Sequence, residues 1–228
     1  MASMETVDLD QFDSDGALAD TGGQLDPQTR GAFLHRAGIG AAGLAGAGAL
    51  LGGGLPSVAL GATPRSDVKI LNYALTLEYL EAEFYAQAKQ HITSGPLAAF
   101  ATLVASDEAA HVAALKKALG RKAVAKPRFD FANAVTDPST FQATAFTLEN
   151  TGVGAYLGQA GHIKTPALLA AAASILTVEA RHAGAIATII NTNQLSGPKG
   201  IVPNGPFDKP LSMKTVLAAV KQTGFIKG

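Results

Sequence analysis

The chain of 228 residues is 47% hydrophobic and only 16% charged, which supplies enough apolar surface for a packed core and excludes a solvated, disordered polymer. Its formal net charge is +0, and no dense basic cluster with interleaved aromatics gives nucleic-acid binding any support. It contains no cysteine, which removes disulfides, iron–sulfur clusters and thiol catalysis.

Neutrality overall hides an asymmetry. Residues 1–29 hold seven acids and no base. Residues 37–62 then run without a charge, rich in Ala, Gly and Leu. They follow Thr29-Arg-Gly-Ala-Phe-Leu-His-Arg36 and end in Pro56-Ser-Val-Ala-Leu-Gly-Ala62, whose small residues suit cleavage after Ala59, Gly61 or Ala62. The segment resembles a degenerate twin-arginine (Tat) export signal. Phe33-Leu34 stands in the expected place, while Gly31 stands where the second arginine belongs. Residues 1–62 are therefore expected to be an acidic extension plus an export signal peptide. The mature protein would be periplasmic or extracellular, touching the membrane only through that signal and staying anchored if the signal is retained. His35 belongs to this segment and not to a ligand set.

From residue 63 a helical period takes over. Leu71, Leu75, Glu78, Ala82 and Tyr85 share one stripe at 3.6-residue spacing, within a first helix expected from Ser66 to Thr93. Gly95-Pro96 breaks the chain, and Pro96 suits the first turn of a second helix that runs to Leu119, where Gly120 can cap it. Residues 120–137 read as irregular. Lys116, Lys117, Arg121, Lys122, Lys126 and Arg128 read as a helix C-terminus with favourable cations followed by a solvated loop. A third helix is expected from Pro138 to Gln159 and a fourth from Pro166 to Ile190. Residues 192–228 form a C-terminal extension with a short helix near Ser212 to Gln222.

Two short words lie on the second and fourth helices, Glu108-Ala-Ala-His111 and Glu179-Ala-Arg-His182. Glu78 stands 30 residues before Glu108, and Glu149 stands 30 before Glu179, so E-x29-E-x-x-H occurs twice, offset by 71 residues. Thr76-Leu77-Glu78 matches Thr147-Leu148-Glu149, and a tyrosine follows each glutamate by seven residues, Tyr85 and Tyr156. At about 1.5 Å per residue, the descent from Glu78 to the turn and the climb to Glu108 are each roughly 20 Å, so the two glutamates return to one height. The second half does the same, and each histidine sits one turn beyond its glutamate on the same face. Residues 63–191 are thus expected to form an all-α, antiparallel four-helix bundle with a long crossover between helices 2 and 3.

One glutamate from each of two helices and Glu-x-x-His from the other two is the pattern of ferritin-like di-iron and di-manganese carboxylate proteins. Ile70-Leu-Asn-Tyr-Ala-Leu-Thr-Leu-Glu-Tyr-Leu-Glu-Ala-Glu-Phe-Tyr85 resembles the first helix of exported bacterial ferritin-like proteins related to desiccation-related proteins. Pro206-Phe-Asp-Lys-Pro-Leu-Ser212 is similar to their C-terminal segment. The resemblance covers residues 66–224 and implies a dinuclear metal centre.

The residues point the same way. Four carboxylates in an apolar bundle resist ionisation together unless cations join them. Oxygen-rich ligation with one imidazole per ion suits two divalent ions of Fe or Mn, and the lack of thiolates argues against softer metals. The expected ligands are Glu78, Glu108, His111, Glu149, Glu179 and His182, with Glu78 and Glu149 terminal or chelating and Glu108 and Glu179 bridging. The expected function is a metal-binding oxidoreductase acting on peroxide, dioxygen or Fe(II), of peroxidase, catalase or ferroxidase type. The alternative is a non-catalytic stress-response or desiccation-protection protein with a structural dimetal site. Partners would be the small oxidant or Fe(II), and a second copy in a homo-oligomer. Glu81, at the stripe's edge with Gly152 as its counterpart, reads as a surface acid ahead of an extra ligand. Tyr85 and Tyr156 read as core packing ahead of a hydrogen bond to a ligand carboxylate. Asp107 is placed to orient a histidine, while Glu83, His91 and His162 read as surface residues.

Overall fold

Proline and glycine set the limits of the helices. The computed structural model describes residues 63–191 and 194–227, so the acidic extension and export signal expected in residues 1–62 lie outside the described residues. The helices are α1 (Arg65–Ala88), α2 (Gly95–Leu119), α3 (Pro138–Ala160), α4 (Pro166–Ile190) and the short α5 (Met213–Thr223). Proline occupies the first turn of α2, α3 and α4, where its missing N–H costs nothing. Asp137 caps α3 by accepting the Thr140 N–H at 2.8 Å. Gly120 ends α2 at a φ of 54°, a left-handed conformation that a Cβ would strain. Helix α1 stops at Ala88, short of the expected Thr93. The chain turns at Lys89–His91, and this turn folds Ile92 back into the core.

Two apolar layers reveal the helix directions. One unites Leu71 and Leu75 of α1 with Leu115 and Leu119 of α2, Tyr156 of α3, and Leu168 and Ile175 of α4. The other unites Phe84 and Ala88 of α1 with Phe100 and Val104 of α2, Phe141 and Ala145 of α3, and Ile186 of α4. The start of α1 thus meets the end of α2, and the end of α3 meets the start of α4, the antiparallel order expected. Each large apolar side chain so buried contributes about 1.5–3 kcal/mol. The level between the two layers holds both E-x-x-H words.

The crossover from α2 to α3 is more ordered than its composition suggests. Residues Arg128–Phe129 form strand β1, which pairs antiparallel with strand β2, Ile226–Lys227, after α5. Phe131 then turns inward to meet Phe84 edge-on, with ring centroids 5.4 Å apart. The segment before α5 lies on α3. Leu211 donates its N–H to the Gly154 carbonyl at 2.8 Å, and a Cβ at Gly158 would run into the Leu211 carbonyl. Gly154 and Gly158 together leave α3 bare enough for backbone to touch backbone.

At the opposite end, fully buried Asp67 accepts the N–H groups of Lys164 at 3.1 Å and Thr165 at 2.9 Å. Burial opposes its charge, but these bonds and the Thr165 hydroxyl hold its carboxyl below the ordinary value. The start of α1 is thereby fixed to the turn before α4. Among the described residues, no helix is long and apolar enough to cross a membrane.

Candidate metal centre

Between the two apolar layers, α1 and α3 each present one glutamate, and α2 and α4 each present a glutamate and a histidine one turn on. Glu78, Glu108, Glu149 and Glu179 are 0% exposed, while His111 and His182 are 9% and 4% exposed. Atom by atom, the six side chains fall into two sets. His111 Nδ1 lies 3.1 Å from Glu78 Oε2, 3.3 Å from Glu108 Oε2 and 3.4 Å from Glu179 Oε1. His182 Nδ1 lies 3.3 Å from both Glu108 Oε1 and Glu149 Oε2. Glu108 therefore turns one oxygen to each imidazole.

Two groups of four ligand atoms result, each with all its atoms within 4.8 Å of one another. Glu78, Glu108, His111 and Glu179 make one, and Glu108, Glu149, Glu179 and His182 make the other. Glu108 and Glu179 belong to both, while Glu78 and Glu149 belong to one each.

The outward atoms are held by neighbours. The Tyr156 hydroxyl donates to Glu78 Oε1, and the Tyr85 hydroxyl donates to Glu149 Oε1. Both tyrosines pack in the core and also bond a carboxylate, so the two roles weighed for them coexist. Asp107 Oδ2 lies 3.1 Å from His182 Nε2, which leaves Nδ1 facing the cluster. The equivalent position in the other half is Val178, which cannot do this.

Several inward atoms lack a well-aligned hydrogen bond. Glu108 Oε1, Glu149 Oε2, both oxygens of Glu179 and His182 Nδ1 are buried and make no well-aligned hydrogen bond among the described residues, although His182 Nδ1 lies 3.3 Å from Glu108 Oε1 and Glu149 Oε2, and His111 Nδ1 3.4 Å from Glu179 Oε1. One buried, unsatisfied polar atom costs about 1–3 kcal/mol, so a cluster of them converging on one space is a large deficit. Cations placed among them would satisfy all of these atoms at once. Oxygen donors with one imidazole per group suit hard or borderline divalent ions. Arg181 does not fill this role, because it is exposed and donates to the Thr177 carbonyl at 3.2 Å.

The electrostatics show the same strain. Burial, and then the charge of Glu78, push Glu108 up to about 8. Burial and the charge of Glu108 push Glu179 well above the ordinary carboxylate value. Burial also opposes ionisation of Glu78, but the adjacent His111 imidazole outweighs it and holds that carboxyl low. Burial disfavours the charged imidazole of His182, yet Glu108 and Glu149 raise it to about 11. Without cations, the cluster keeps its carboxylates together by holding protons.

Other expectations need correction. Glu81 is not a surface acid: it is 4% exposed and sits beside the carboxylates of the cluster. The sequence placed it at the edge of the stripe, and it is buried because Gly152 on α3 has no side chain to exclude it. Glu83 is half-buried and paired with Lys126 and Gln87, so Lys126 is not simply solvated. His91 and His162 are exposed, as expected.

A helical bundle with a buried carboxylate–histidine cluster at mid-height is a ferritin-like arrangement suited to metal binding. A family model described as a ferritin-like domain matches residues 66–192, more than half of the chain, and the protein belongs to that family. Among curated proteins, none matches the chain.

Proposed function

We propose that the cluster binds two divalent ions, iron or manganese, and that the protein is redox-active toward peroxide or dioxygen, or oxidises Fe(II). One observation carries this: two four-atom groups share Glu108 and Glu179, and most of their inward atoms are buried without a well-aligned hydrogen bond. Two such ions, when bound, supply two one-electron equivalents side by side.

The chain's own residues set the conditions. Glu108 and Glu179 fix the spacing of the two positions. Tyr85 and Tyr156 hold the terminal carboxylates so that one oxygen of each faces inward. Asp107 fixes the ring of His182. The leucine and phenylalanine layers on either side exclude bulk water, which strengthens every electrostatic contact between them. Four carboxylates against two divalent ions, with neutral imidazoles, balance to zero charge in this apolar setting.

The test is metal analysis of protein from its own host, followed by peroxide-consumption and Fe(II)-oxidation assays. About two ions per chain are expected, with turnover that Glu108→Ala abolishes. Less than one ion per chain, with no recovery on reconstitution, overturns the dinuclear centre. Metal-dependent melting without turnover overturns the redox role and leaves a structural centre.

A further inference from the structure

The two halves of the repeat differ where they come closest to the cluster. Glu81 stands one turn beyond Glu78 on α1, and its repeat counterpart one turn beyond Glu149 on α3 is Gly152. The glutamate is 4% exposed, and the carboxylates acting on it are Glu179 most strongly, then Glu108, Glu149 and Glu78. A Cβ at Gly152 would lie 2.6 Å from Glu179 Oε2 and 3.6 Å from Glu81 Oε1. The space a side chain at position 152 would fill is thus already occupied by the ends of Glu81 and Glu179. A second glutamate here would collide with both, which accounts for the break in the repeat.

The neighbouring atoms point to a ligand. Glu179 Oε2 is one of the buried atoms without a hydrogen-bond partner, and His111 is approached by the other oxygen, Oε1. A buried carboxylate beside an unsatisfied carboxylate oxygen gains nothing from it directly, since both accept hydrogen bonds and neither donates when ionised. A cation between them resolves the conflict.

We propose that Glu81 is a seventh ligand of the centre, entering from the α1–α3 side beside Glu179 Oε2, and that Gly152 is the residue that admits it. This rests on the metal-binding role proposed above. Four carboxylates neutralise two divalent ions, and a fifth adds one negative charge. Glu81 therefore favours the state in which the ion pair carries one more positive charge, and it makes the two positions unlike despite the symmetry of the six other ligands.

The experiment is titration of the metal-free full-length chain with Co2+, followed by its visible absorption, with folding checked by far-UV circular dichroism. Wild type is expected to take up two ions. Glu81→Gln, nearly isosteric, is expected to bind one of them about tenfold or more weakly and to show a stronger visible band, because absorption rises as coordination number falls. Gly152→Ala is expected to weaken both ions by displacing the shared Glu179. Should Glu81→Gln fail to fold, Glu81→Ala with added acetate replaces it, and acetate is expected to restore the wild-type spectrum. Unchanged affinity and spectrum in Glu81→Gln, or no acetate effect in Glu81→Ala, overturns the seventh ligand while leaving the other six intact. Wild type that takes up no cobalt overturns the underlying metal centre instead.

Discussion

The hydroxyl of Tyr85 on α1 donates to Glu149 on α3, in the other half of the repeat. Tyr156 returns the contact by donating to Glu78 on α1. Each tyrosine therefore supports the glutamate of its partner half and not the one seven residues before it.

This exchange predicts crossed effects. Tyr85→Phe should weaken the ion nearest Glu149 and His182, while Tyr156→Phe should weaken the ion nearest Glu78 and His111, each by about tenfold. Calorimetric titration of metal-free protein with Mn2+ measures both steps. An equal loss at both positions in each variant would contradict the crossed support.

The metal-free protein should lose stability as pH rises from about 4.5 toward 8. Glu108, raised from 4.5 to about 8, holds its proton in the folded state across that window while the unfolded chain releases it. The folded state then binds more protons, so the unfolding free energy falls with increasing pH. His182, raised from 6.5 to about 11, extends the same trend upward. Bound ions replace those protons, so metal affinity rises with pH. Melting temperatures with chelator and with Mn2+ should diverge steadily between pH 5 and pH 8.

Asp107→Ala should loosen the His182 ring by removing the acceptor 3.1 Å from its Nε2. One of the two metal-binding steps should weaken about tenfold or more, with little change in melting of the metal-free protein. Val178→Asp, at the equivalent place in the other half, should strengthen the other step. Titration with Mn2+ measures both changes.

Gly158→Ala should destabilise the bundle by about 1–3 kcal/mol, because the new methyl group meets the Leu211 carbonyl and the segment before α5 must shift. Urea unfolding of the metal-loaded protein reads the loss, and uptake of metal should survive it.

The sequence made the six-residue cluster legible because helical rise and period are rigid rules. Equal intervals from Glu78 to Glu108 and from Glu149 to Glu179 translate directly into equal heights on paired helices. Helix starts were readable for the same reason, since Pro96, Pro138 and Pro166 act locally. What escaped depended on contacts between distant segments. The pairing of Phe129 with Ile226 joins stretches that carry no strand pattern of their own. Leu211 rests on Gly154 through backbone atoms, which no side-chain pattern announces. Glu81 read as a surface acid because its burial is decided by what is missing at Gly152, on another helix.

Sharing Glu108 and Glu179 between the two positions has a consequence for the order of events during assembly. Neither hairpin alone carries a complete set of four ligand atoms for either position, because each set draws on both. A nascent chain that has formed only α1 and α2 offers Glu78, Glu108 and His111 but lacks the oxygen of Glu179. If the cluster binds metal as proposed, capture of tightly held ions would follow the docking of the hairpins, and the appearance of bound metal in a refolding experiment would mark the moment the two halves meet.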